Sequence, residues 1–312
     1  MDKGSKIYVA GHRGLVGSAL VKRLREEGYS NLVLKTSKEL DLRRQADVEA
    51  FFAQERPDYV FLAAAKVGGI LANSTFKAEF IYNNIMIAAN VIEASYRTGV
   101  KKLLNLGSSC IYPKFAPQPM KEEYLLTGPL EPTNEPYAVA KIAAIKLCRY
   151  YNEQYGTNFI SVMPTNVYGP GDNFDLETSH VVPALLRKFH EAKAQGRPFV
   201  TIWGSGSPFR ELLYVDDLAD ACVFLMGKYD HQQIGEFINI GTGKDITIKE
   251  LALLVRDIVG FQGTIKHDLS KPDGTPKKLL DVSRIGKLGW KAGIGLDDGI
   301  RMTYEFYRSV AK

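Results

Sequence analysis

The sequence predicts an α/β protein built on a parallel, doubly wound sheet. In the first half of the 312-residue chain, short and almost continuously apolar runs alternate with longer segments whose apolar residues recur at helical spacing. Strands that are apolar throughout are typical of parallel sheets, because helices cover both of their faces. The repeated strand–helix unit therefore favours a doubly wound architecture.

Five strands and four helices are predicted in this half. The strands span residues 6–10, 32–35, 59–62, 102–106 and 159–163, and the helices span residues 15–27, 46–52, 78–98 and 137–155. Beyond about Pro164 the alternation weakens. There we predict helices at 181–194, at 215–225 and from Thr247, and strands at 199–203 and 236–240. The last helix opens with Thr247-Ile248-Lys249-Glu250, a capping box.

The composition and charge of the chain argue against several classes of protein. The formal net charge is only +5 and the basic residues are scattered, which argues against nucleic-acid binding and suits small anionic ligands. We see neither a signal-peptide pattern nor an apolar run of the ~20 residues that span a bilayer. The three cysteines, Cys110, Cys148 and Cys222, lack metal-ligand spacing. We predict a cytoplasmic protein that holds no metal and binds no membrane.

The first predicted strand runs into a glycine-rich turn, Gly11-His12-Arg13-Gly14-Leu15-Val16-Gly17. Glycines at this spacing permit a tight turn and let backbone N–H groups approach a pyrophosphate at a helix N-terminus. A plain tight turn is the alternative. Because a strand precedes the motif and an amphipathic helix follows it, we predict that residues 1–165 form a Rossmann-type dinucleotide-binding domain. Residues 166–312 are interpreted mainly as a smaller α/β substrate-binding lobe that returns some segments to the main sheet.

The end of the second strand bears on the choice of cofactor. An NAD site usually places an acid there to bind the ribose 2′-hydroxyl. This chain has Leu34-Lys35-Thr36-Ser37-Lys38 instead, and Arg13 lies in the first turn. Cations and hydroxyls suit a 2′-phosphate, so we predict NADP(H); solvated surface lysines are the alternative.

The stretch Tyr137-Ala138-Val139-Ala140-Lys141 places a tyrosine and a lysine on one face of a helix. A nearby ammonium, together with the positive charge of the oxidised nicotinamide, favours the phenolate. This lowers the proton affinity of the tyrosine and makes it a usable proton donor near neutral pH. Chance Tyr-x-x-x-Lys pairs are frequent. This pair gains weight because Gly107-Ser108-Ser109 ends the preceding strand of a dinucleotide-binding pattern.

Together these motifs resemble the extended branch of the short-chain dehydrogenase/reductases over nearly the whole chain. Further matches are Glu39-Leu40-Asp41-Leu42, Ala63-Ala64-Ala65 and Asn84. Within that branch the chain is similar to the enzymes that form GDP-L-fucose, in the segments GHRGLVGSA, AAAKVGGI, LGSSCIYPK, EPTNEPYAVAKIA, MPTNVYGPGDNF, SHVVPALLRKFHEA, WGSGSPFRELLYVDD and KPDGTPKKLLD. The second-strand corner departs from the pattern, because bacterial relatives tend to carry arginines there.

The resemblance implies an NADPH-dependent reaction in two stages. Carbons 3 and 5 of GDP-4-keto-6-deoxy-D-mannose would be epimerised, and the 4-keto group would then be reduced to give GDP-L-fucose. The chemistry agrees, because a ketone acidifies the hydrogens of both flanking carbons and one acid–base pair could serve both inversions. Another nucleotide-sugar epimerase or reductase of the same family is one alternative, and an NADP(H)-sensing regulatory protein is another. The Ser109-Cys110 pair argues against a 4,6-dehydratase, which would be expected to carry two acids beside the serine.

The resemblance also implies roles for individual residues. Ser108 and Tyr137 would act on the 4-keto oxygen, Lys141 would hold ribose and tune Tyr137, and Cys110 and His180 would handle the protons of epimerisation. The implied cofactor contacts are Gly11, His12, Arg13, Gly14, Leu15, Val16, Gly17, Ser37, Lys38, Asp41, Leu42, Leu106, Gly107, Ser108, Lys141, Pro164, Asn166, Val167 and His180. The implied substrate contacts are Lys188, Trp203, Arg210 and Asp273. A homodimer packed through helices 78–98 and 137–155 is also implied.

Without the resemblance, several of these residues would have plainer interpretations. Trp203 would be a core residue, Arg210 a member of a structural ion pair, and His180 a neighbour of a helix cap. Asp273 would belong to a Pro/Gly-rich turn. Cys110 could equally be a packing group, as we predict for Cys148 and Cys222, which lie within apolar helical patterns.

Overall fold

The computed structural model describes residues 1–271 and 273–311, and for Ile70 and Leu71 it describes the backbone alone. Its central feature is a six-stranded parallel sheet of β1 (Ile7–Ala10), β2 (Leu32–Val33), β3 (Tyr59–Leu62), β4 (Lys102–Leu106), β5 (Phe159–Pro164) and β9 (Ile238–Ile240). The strands lie in the order β2-β1-β3-β4-β5-β9. Chain order reverses around β1, and such a switch point opens a ligand crevice at the carboxyl ends of the strands.

Helices cover both faces of this sheet, which confirms the doubly wound prediction. The helices are α1 (Leu15–Glu26), α2 (Gln45–Glu55), α3 (Ile70–Thr75), α4 (Lys77–Arg97), α5 (Glu135–Tyr155), α6 (Val181–Ala194), α7 (Val215–Lys228), α8 (His231–Ile234), α9 (Ile248–Val259), α10 (Ser283–Lys287) and α11 (Leu296–Val310). Leu20 of α1 and Leu218 of α7 share the core on one face. Phe52 of α2, Ile92 of α4 and Cys148 of α5 share the core on the other. Among the described residues, no helix is both long and apolar enough to cross a bilayer.

The predicted strands of the first half differ from the observed ones mainly at their ends. The strand predicted at 32–35 stops at Val33. Beyond it the backbone N–H and the hydroxyl of Thr36 both donate to the Glu39 carboxylate, at 2.8 and 2.6 Å. This local turn takes the chain away from the sheet before Lys35 can pair.

A second group of strands lies in the other half of the chain. They are β6 (Asn166–Tyr168), β7 (Phe199–Trp203), β8 (Phe209–Tyr214), β10 (Asp245–Thr247), β11 (Thr264–Asp268) and β12 (Lys277–Lys278). Strand β8 pairs with β6, β10 and β12, whereas β7 and β11 form a two-stranded sheet. Phe189, Val255 and Tyr304, from α6, α9 and α11, share the core beneath them. The capping box at Thr247 is confirmed, since Thr247 and Glu250 exchange hydrogen bonds.

Two segments of the second half pack with the first half. Strand β9 pairs in parallel with β5, with Val162 opposite Ile238. Helix α7 contributes to the same core as α1. The division of the chain at about residue 165 remains a prediction.

Lys102, on β4, is a buried lysine that binds the end of helix α7. It is 4% exposed, and its Nζ donates to the carbonyls of Leu225 (3.1 Å), Met226 (2.9 Å) and Tyr229. Carbonyls at a helix C-terminus have no partner within the helix and favour a cation. Burial lowers the pKa of Lys102 to about 8, so the group is still largely protonated at pH 7.

We expect Lys102→Met to lower the free energy of unfolding by about 1–3 kcal/mol, because buried carbonyls lose their donor. Urea unfolding followed by circular dichroism measures this. The matched control is Lys101→Met, which removes an exposed ammonium paired with Asp58 at 2.9 Å. Exposed pairs typically contribute about 0–1 kcal/mol. An equal loss in both variants would show that Lys102 does not stabilise α7 in this way.

Candidate active site

Ser108 and Cys110 lie on one turn at the carboxyl end of β4. Gly107 has no room for a side chain, since a Cβ there would overlap Met163. Ser108 follows in extended backbone, and its Oγ accepts a hydrogen bond from the Cys110 backbone N–H at 3.5 Å. That bond opens a short 3-10 helix, Ser109–Ile111. The serine and the thiol therefore lie on the same turn beside the crevice.

Tyr137 and Lys141 reach this turn from the first half of α5. The Lys141 Nζ donates to the Leu106 carbonyl at 2.6 Å, which ties α5 to the end of β4. The same nitrogen lies 5.7 Å from the centroid of the Tyr137 ring. The Phe80 ring packs edge-on against Tyr137, with centroids 6.3 Å apart. The structure thus brings together Ser108, Cys110, Tyr137 and Lys141.

The electrostatics of this group differ from the sequence-based expectation. Burial raises the pKa of Tyr137, and the nearby Cys110 adds to the rise. Burial also lowers the pKa of Lys141, to about 8. The predicted lowering of the tyrosine pKa by Lys141 is therefore wrong for the protein alone, because desolvation dominates and the ammonium is turned toward the Leu106 carbonyl. Tyr137 is accordingly a protonated phenol, which can donate its proton.

Cys110 is 7% exposed, and burial raises the pKa of its thiol. The hydrogen bond with Ser108 and the charges of Lys278 and Lys141 act in the opposite direction. Desolvation of the enclosed side chain outweighs these opposing effects. Cys110 and Lys278 line one small pocket, together with Ser109, Glu131 and Thr275.

Sequence reasoning gave Lys278 no role. It lies on β12, opposite Arg210 of β8. Its position in the KPDGTPKKLLD segment was visible, but its proximity to Cys110 depends on a pairing between distant strands. Pro272 of that segment lies outside the described residues.

His180 is the N-cap residue of α6, and its side chain makes no cap hydrogen bond. The residue is exposed, yet enough protein surrounds the ring for desolvation to lower its pKa. Two residues earlier, the Thr178 carbonyl accepts from Gly69 N–H at 3.0 Å. Thr178 and Phe80 line the same open pocket. Because Phe80 contacts Tyr137, the segment leading to His180 borders the tyrosine side of the crevice.

The glycine turn fits a nucleotide diphosphate. Gly14 is the N-cap of α1, with no side-chain cap and no acid in the first turn, so nothing on that turn opposes an anion. A Cβ at Gly17 would overlap the Gly11 carbonyl, and Gly11 has a φ of +83°. The Nδ1 of His12 is buried without a partner in the described protein. Backbone N–H groups at such a helix end are an anion-binding site.

The corner after β2 carries both cations and an acid. Hydrogen bonds from Thr36 lower the pKa of Glu39, and the charges of Lys35 and Arg13 lower it further. No acid stands at the strand end itself, as predicted from residues 34–38, and the Glu39 carboxylate that follows accepts hydrogen bonds from Thr36. The Asp41 carboxylate is likewise engaged, by Arg43 at 2.7 Å. A cofactor contact at Asp41 would involve its backbone.

The remaining predicted cofactor positions follow neighbouring strands. Ser37 and Lys38 are exposed in the turn after β2, and Leu42 is buried beyond it. Pro164 ends β5, which lies beside β4 in the sheet. Asn166 and Val167 come next, on β6, and the Asn166 amide donates to the Glu211 carbonyl at 2.9 Å.

The four predicted substrate residues lie around the β7–β8 connection. Trp203 is 52% exposed, which excludes the plain core interpretation, and the Nζ atoms of Lys188 and Lys271 lie 5.3 and 5.4 Å from its ring centroid. Arg210 Nη1 donates to the Thr275 carbonyl at 2.7 Å. The Asp273 carboxylate accepts from the Ser205 N–H (2.6 Å) and hydroxyl (2.9 Å). An exposed aromatic face among cations suits a base and phosphates.

Comparisons with known proteins agree with this geometry. Residues 7–241 match the model of the NAD dependent epimerase/dehydratase family. GDP-L-fucose synthase 1 of Arabidopsis thaliana is 61% identical over 98% of this chain and 94% of its own length. A GDP-6-OMe-4-keto-L-xylo-heptose reductase from C. jejuni is 45% identical, with a TM-score of 0.95 and 99% coverage of both chains. An NADP-bound GDP-L-fucose synthetase from Naegleria fowleri is 32% identical, with a TM-score of 0.91, over 99% of this chain and 94% of that one.

Proposed function

Since the chain belongs to the NAD dependent epimerase/dehydratase family, we propose that it converts GDP-4-keto-6-deoxy-D-mannose to GDP-L-fucose. It is an NADP-dependent oxidoreductase that also epimerises its substrate. One observation carries the two-stage reaction: the Cys110 thiol lies near enough to Tyr137 and Lys141 to act on the pKa of each, and the Cys110 backbone N–H donates to Ser108 Oγ. Reduction alone would use Ser108, Tyr137 and Lys141 and would have no need of the thiol.

The reductive stage depends on donors that converge on the 4-keto oxygen. When bound, NADPH supplies the hydride that reduces the keto carbon. Ser108 would polarise the carbonyl by donating a hydrogen bond, and Tyr137 would donate the proton that the new hydroxyl needs. Burial keeps the Tyr137 phenol protonated until charge develops on the keto oxygen.

The epimerising stage needs two groups, because inversion removes a proton from one face and delivers one to the other. Cys110 as the thiolate is the proposed base for the C3 and C5 protons. The thiolate is disfavoured by burial, and the nearby Lys278 and Lys141 partly offset this. The enolate formed in each inversion carries its charge on the 4-keto oxygen, where Ser108 and Tyr137 already offer donors. His180 is the proposed source of protons on the opposite face.

The GDP portion would bind at Trp203, Lys188 and Arg210. The exposed indole offers a face for the base, and the two cations suit the diphosphate. Because Asp273 is bonded to Ser205, its contribution would include fixing the turn that follows Trp203.

A single incubation in D₂O separates this function from its alternatives. The enzyme, NADPH and the keto-sugar nucleotide are mixed, the loss of reduced cofactor is followed by absorbance, and the product is analysed by NMR. A product with deuterium at C3 and C5 and a reduced C4 supports the proposal. Reduction without exchange would instead indicate a 4-keto reductase, the activity for which the C. jejuni relative is named. Cofactor binding without turnover would indicate a sensor.

We expect Arg13→Ala to weaken NADPH binding much more than NADH binding, because Arg13 and Lys35 place positive charge at the ribose corner. The double variant Lys35→Ala/Lys38→Ala should act in the same direction. Fluorescence titration of each cofactor measures the affinities. Arg25→Ala is the matched control, since Arg25 lies in the last turn of α1, away from the glycine turn. Equal losses for both cofactors would contradict recognition of the 2′-phosphate at this corner.

The same proposal includes a cytoplasmic homodimer packed through α4 and α5. These helices carry exposed Tyr82, Val139, Tyr150 and Tyr155, which an interface would cover. All three cysteines are unpaired, as a reducing compartment favours. Light scattering after size-exclusion chromatography gives the mass; Tyr150→Glu should shift a dimer toward the monomer.

A further inference from the structure

We propose that Gly69 and Asn73 are positioning residues that set where His180 stands in the crevice. The inference deepens the proposed function and rests on it, because it concerns how one of the two proton-handling groups is held. The His180 side chain makes no cap hydrogen bond at the start of α6, so the position of the ring is set by the backbone that carries it.

The segment before α6 is internally braced. Asp175 Oδ1 accepts from the backbone N–H groups of Glu177 (3.1 Å) and Thr178 (3.0 Å). The Asn173 amide donates to the Thr178 hydroxyl at 2.9 Å. His180 then enters α6, whose Ala184 N–H donates to the His180 carbonyl at 3.1 Å. A shift at Thr178 would therefore be transmitted to His180 two residues later.

The loop after β3 is the surface against which this segment rests. Gly69 N–H donates to the Thr178 carbonyl at 3.0 Å. A Cβ at Gly69 would lie 3.1 Å from the Thr178 oxygen and 3.2 Å from the Ser179 oxygen. Both distances are tighter than ordinary contact, so any side chain at this position would push the segment away. Close approach, and not backbone conformation, is what favours glycine here, because its φ of −66° is ordinary.

Two buried asparagines hold that loop. The Asn73 amide, on a residue 6% exposed, donates to the carbonyls of Gly68 (2.6 Å) and Gly69 (3.0 Å). Asn84 exchanges hydrogen bonds with the Lys66 backbone at 2.8 and 3.0 Å. The loop therefore has a defined position, and Asn73 fixes the part of it that touches Thr178.

The other side of the same loop faces the tyrosine. A Cβ at Gly68 would lie 3.3 Å from the Phe80 ring, and Phe80 packs against Tyr137. Gly68 thus lies against Phe80, which packs on Tyr137. Gly69 lies against Thr178, which leads to His180. The loop acts as a spacer between the group that protonates the 4-keto oxygen and the group that protonates the neighbouring carbons.

The test compares Gly69→Ala with Gly227→Ala. A Cβ at Gly227, on α7, meets nothing within 4 Å, so this control adds the same methyl group without a clash. Each full-length variant is given the keto-sugar nucleotide and NADPH in D₂O. The readout is the ratio of deuterium incorporated at C3 and C5 to hydride transferred. Loss of folded protein lowers both quantities equally and leaves this ratio unchanged.

We expect Gly69→Ala to lower the ratio by about tenfold, because small displacements of a catalytic group have large rate effects. Gly227→Ala should keep the wild-type ratio. Asn73→Ala, which removes both donations to the loop, should lower the ratio in the same direction and decides the matter if Gly69→Ala does not fold. A wild-type ratio in the folded variants would overturn the positioning role. Absence of any exchange in the wild-type enzyme would instead overturn the proposed function itself.

Discussion

Replacement of Tyr137 by phenylalanine is expected to slow reduction of the 4-keto group by a factor of about 10² to 10⁴, the usual effect of losing a positioned general acid. The ring stays in place, because its contacts with the Phe80 ring and with the Lys141 Nζ are made by the ring and not by the hydroxyl. Since burial raises the pKa of Tyr137 above 10.0, its ionisation should not limit the wild-type rate at any pH below that value. Single-turnover oxidation of NADPH measures the step.

Deuterium exchange at C3 and C5 should persist in part in Tyr137→Phe, because Ser108 still offers a donor to the enolate oxygen. Tyr150→Phe, on the same helix but with its side chain 52% exposed, is the matched control and should reduce at the wild-type rate. Unchanged NADPH oxidation in Tyr137→Phe would show that Tyr137 is not the proton donor to the 4-keto oxygen.

The parallel sheet was predictable because its signal is local. Strand β4 is buried at every residue, and three of its five positions are Leu, the other two being Lys102 and Asn105. The small sheet around β8 carries a weaker signal. Strand β12 has two residues and pairs with β8 across more than sixty positions of sequence. Such short strands are stabilised by distant partners rather than by their own pattern.

The site likewise combines residues with a local sequence signal and residues whose neighbours come from distant segments. Ser108, Cys110, Tyr137 and Lys141 belong to continuous motifs, and the structure places them together. Lys278 and Thr178 have no such motif, because each acquires its neighbours from another part of the chain. The direction of the pKa shifts of Tyr137 and Lys141 could not be predicted from the sequence either. Spacing reveals that a lysine lies near a tyrosine, but only the packed structure reveals that desolvation outweighs its charge.

Cys110→Ser is expected nearly to abolish deuterium incorporation at C3 and C5 while NADPH affinity and folding remain intact. Serine retains the shape and the small size of the side chain, but its hydroxyl does not ionise in the range where a thiol does. Reduction could then act on the unepimerised sugar and give a GDP-6-deoxyhexose other than GDP-L-fucose. His180→Gln should slow the same exchange less selectively, because the resemblance places His180 near the cofactor as well.

The pH dependence of exchange provides an independent test of the thiol. Because burial raises the pKa of Cys110 above 9.0, the thiolate is a minor form at pH 7 and grows about tenfold with each pH unit below that pKa. Wild-type exchange should therefore rise between pH 7 and the thiol pKa, and reduction should not share this rise. The matched control is Cys148→Ser, which makes the same change in the core beneath α5, where burial raises the thiol pKa to about 12. That variant should lose stability and keep its exchange rate per folded molecule. If Cys110→Ser exchanges both protons at the wild-type rate, the thiol only fills space.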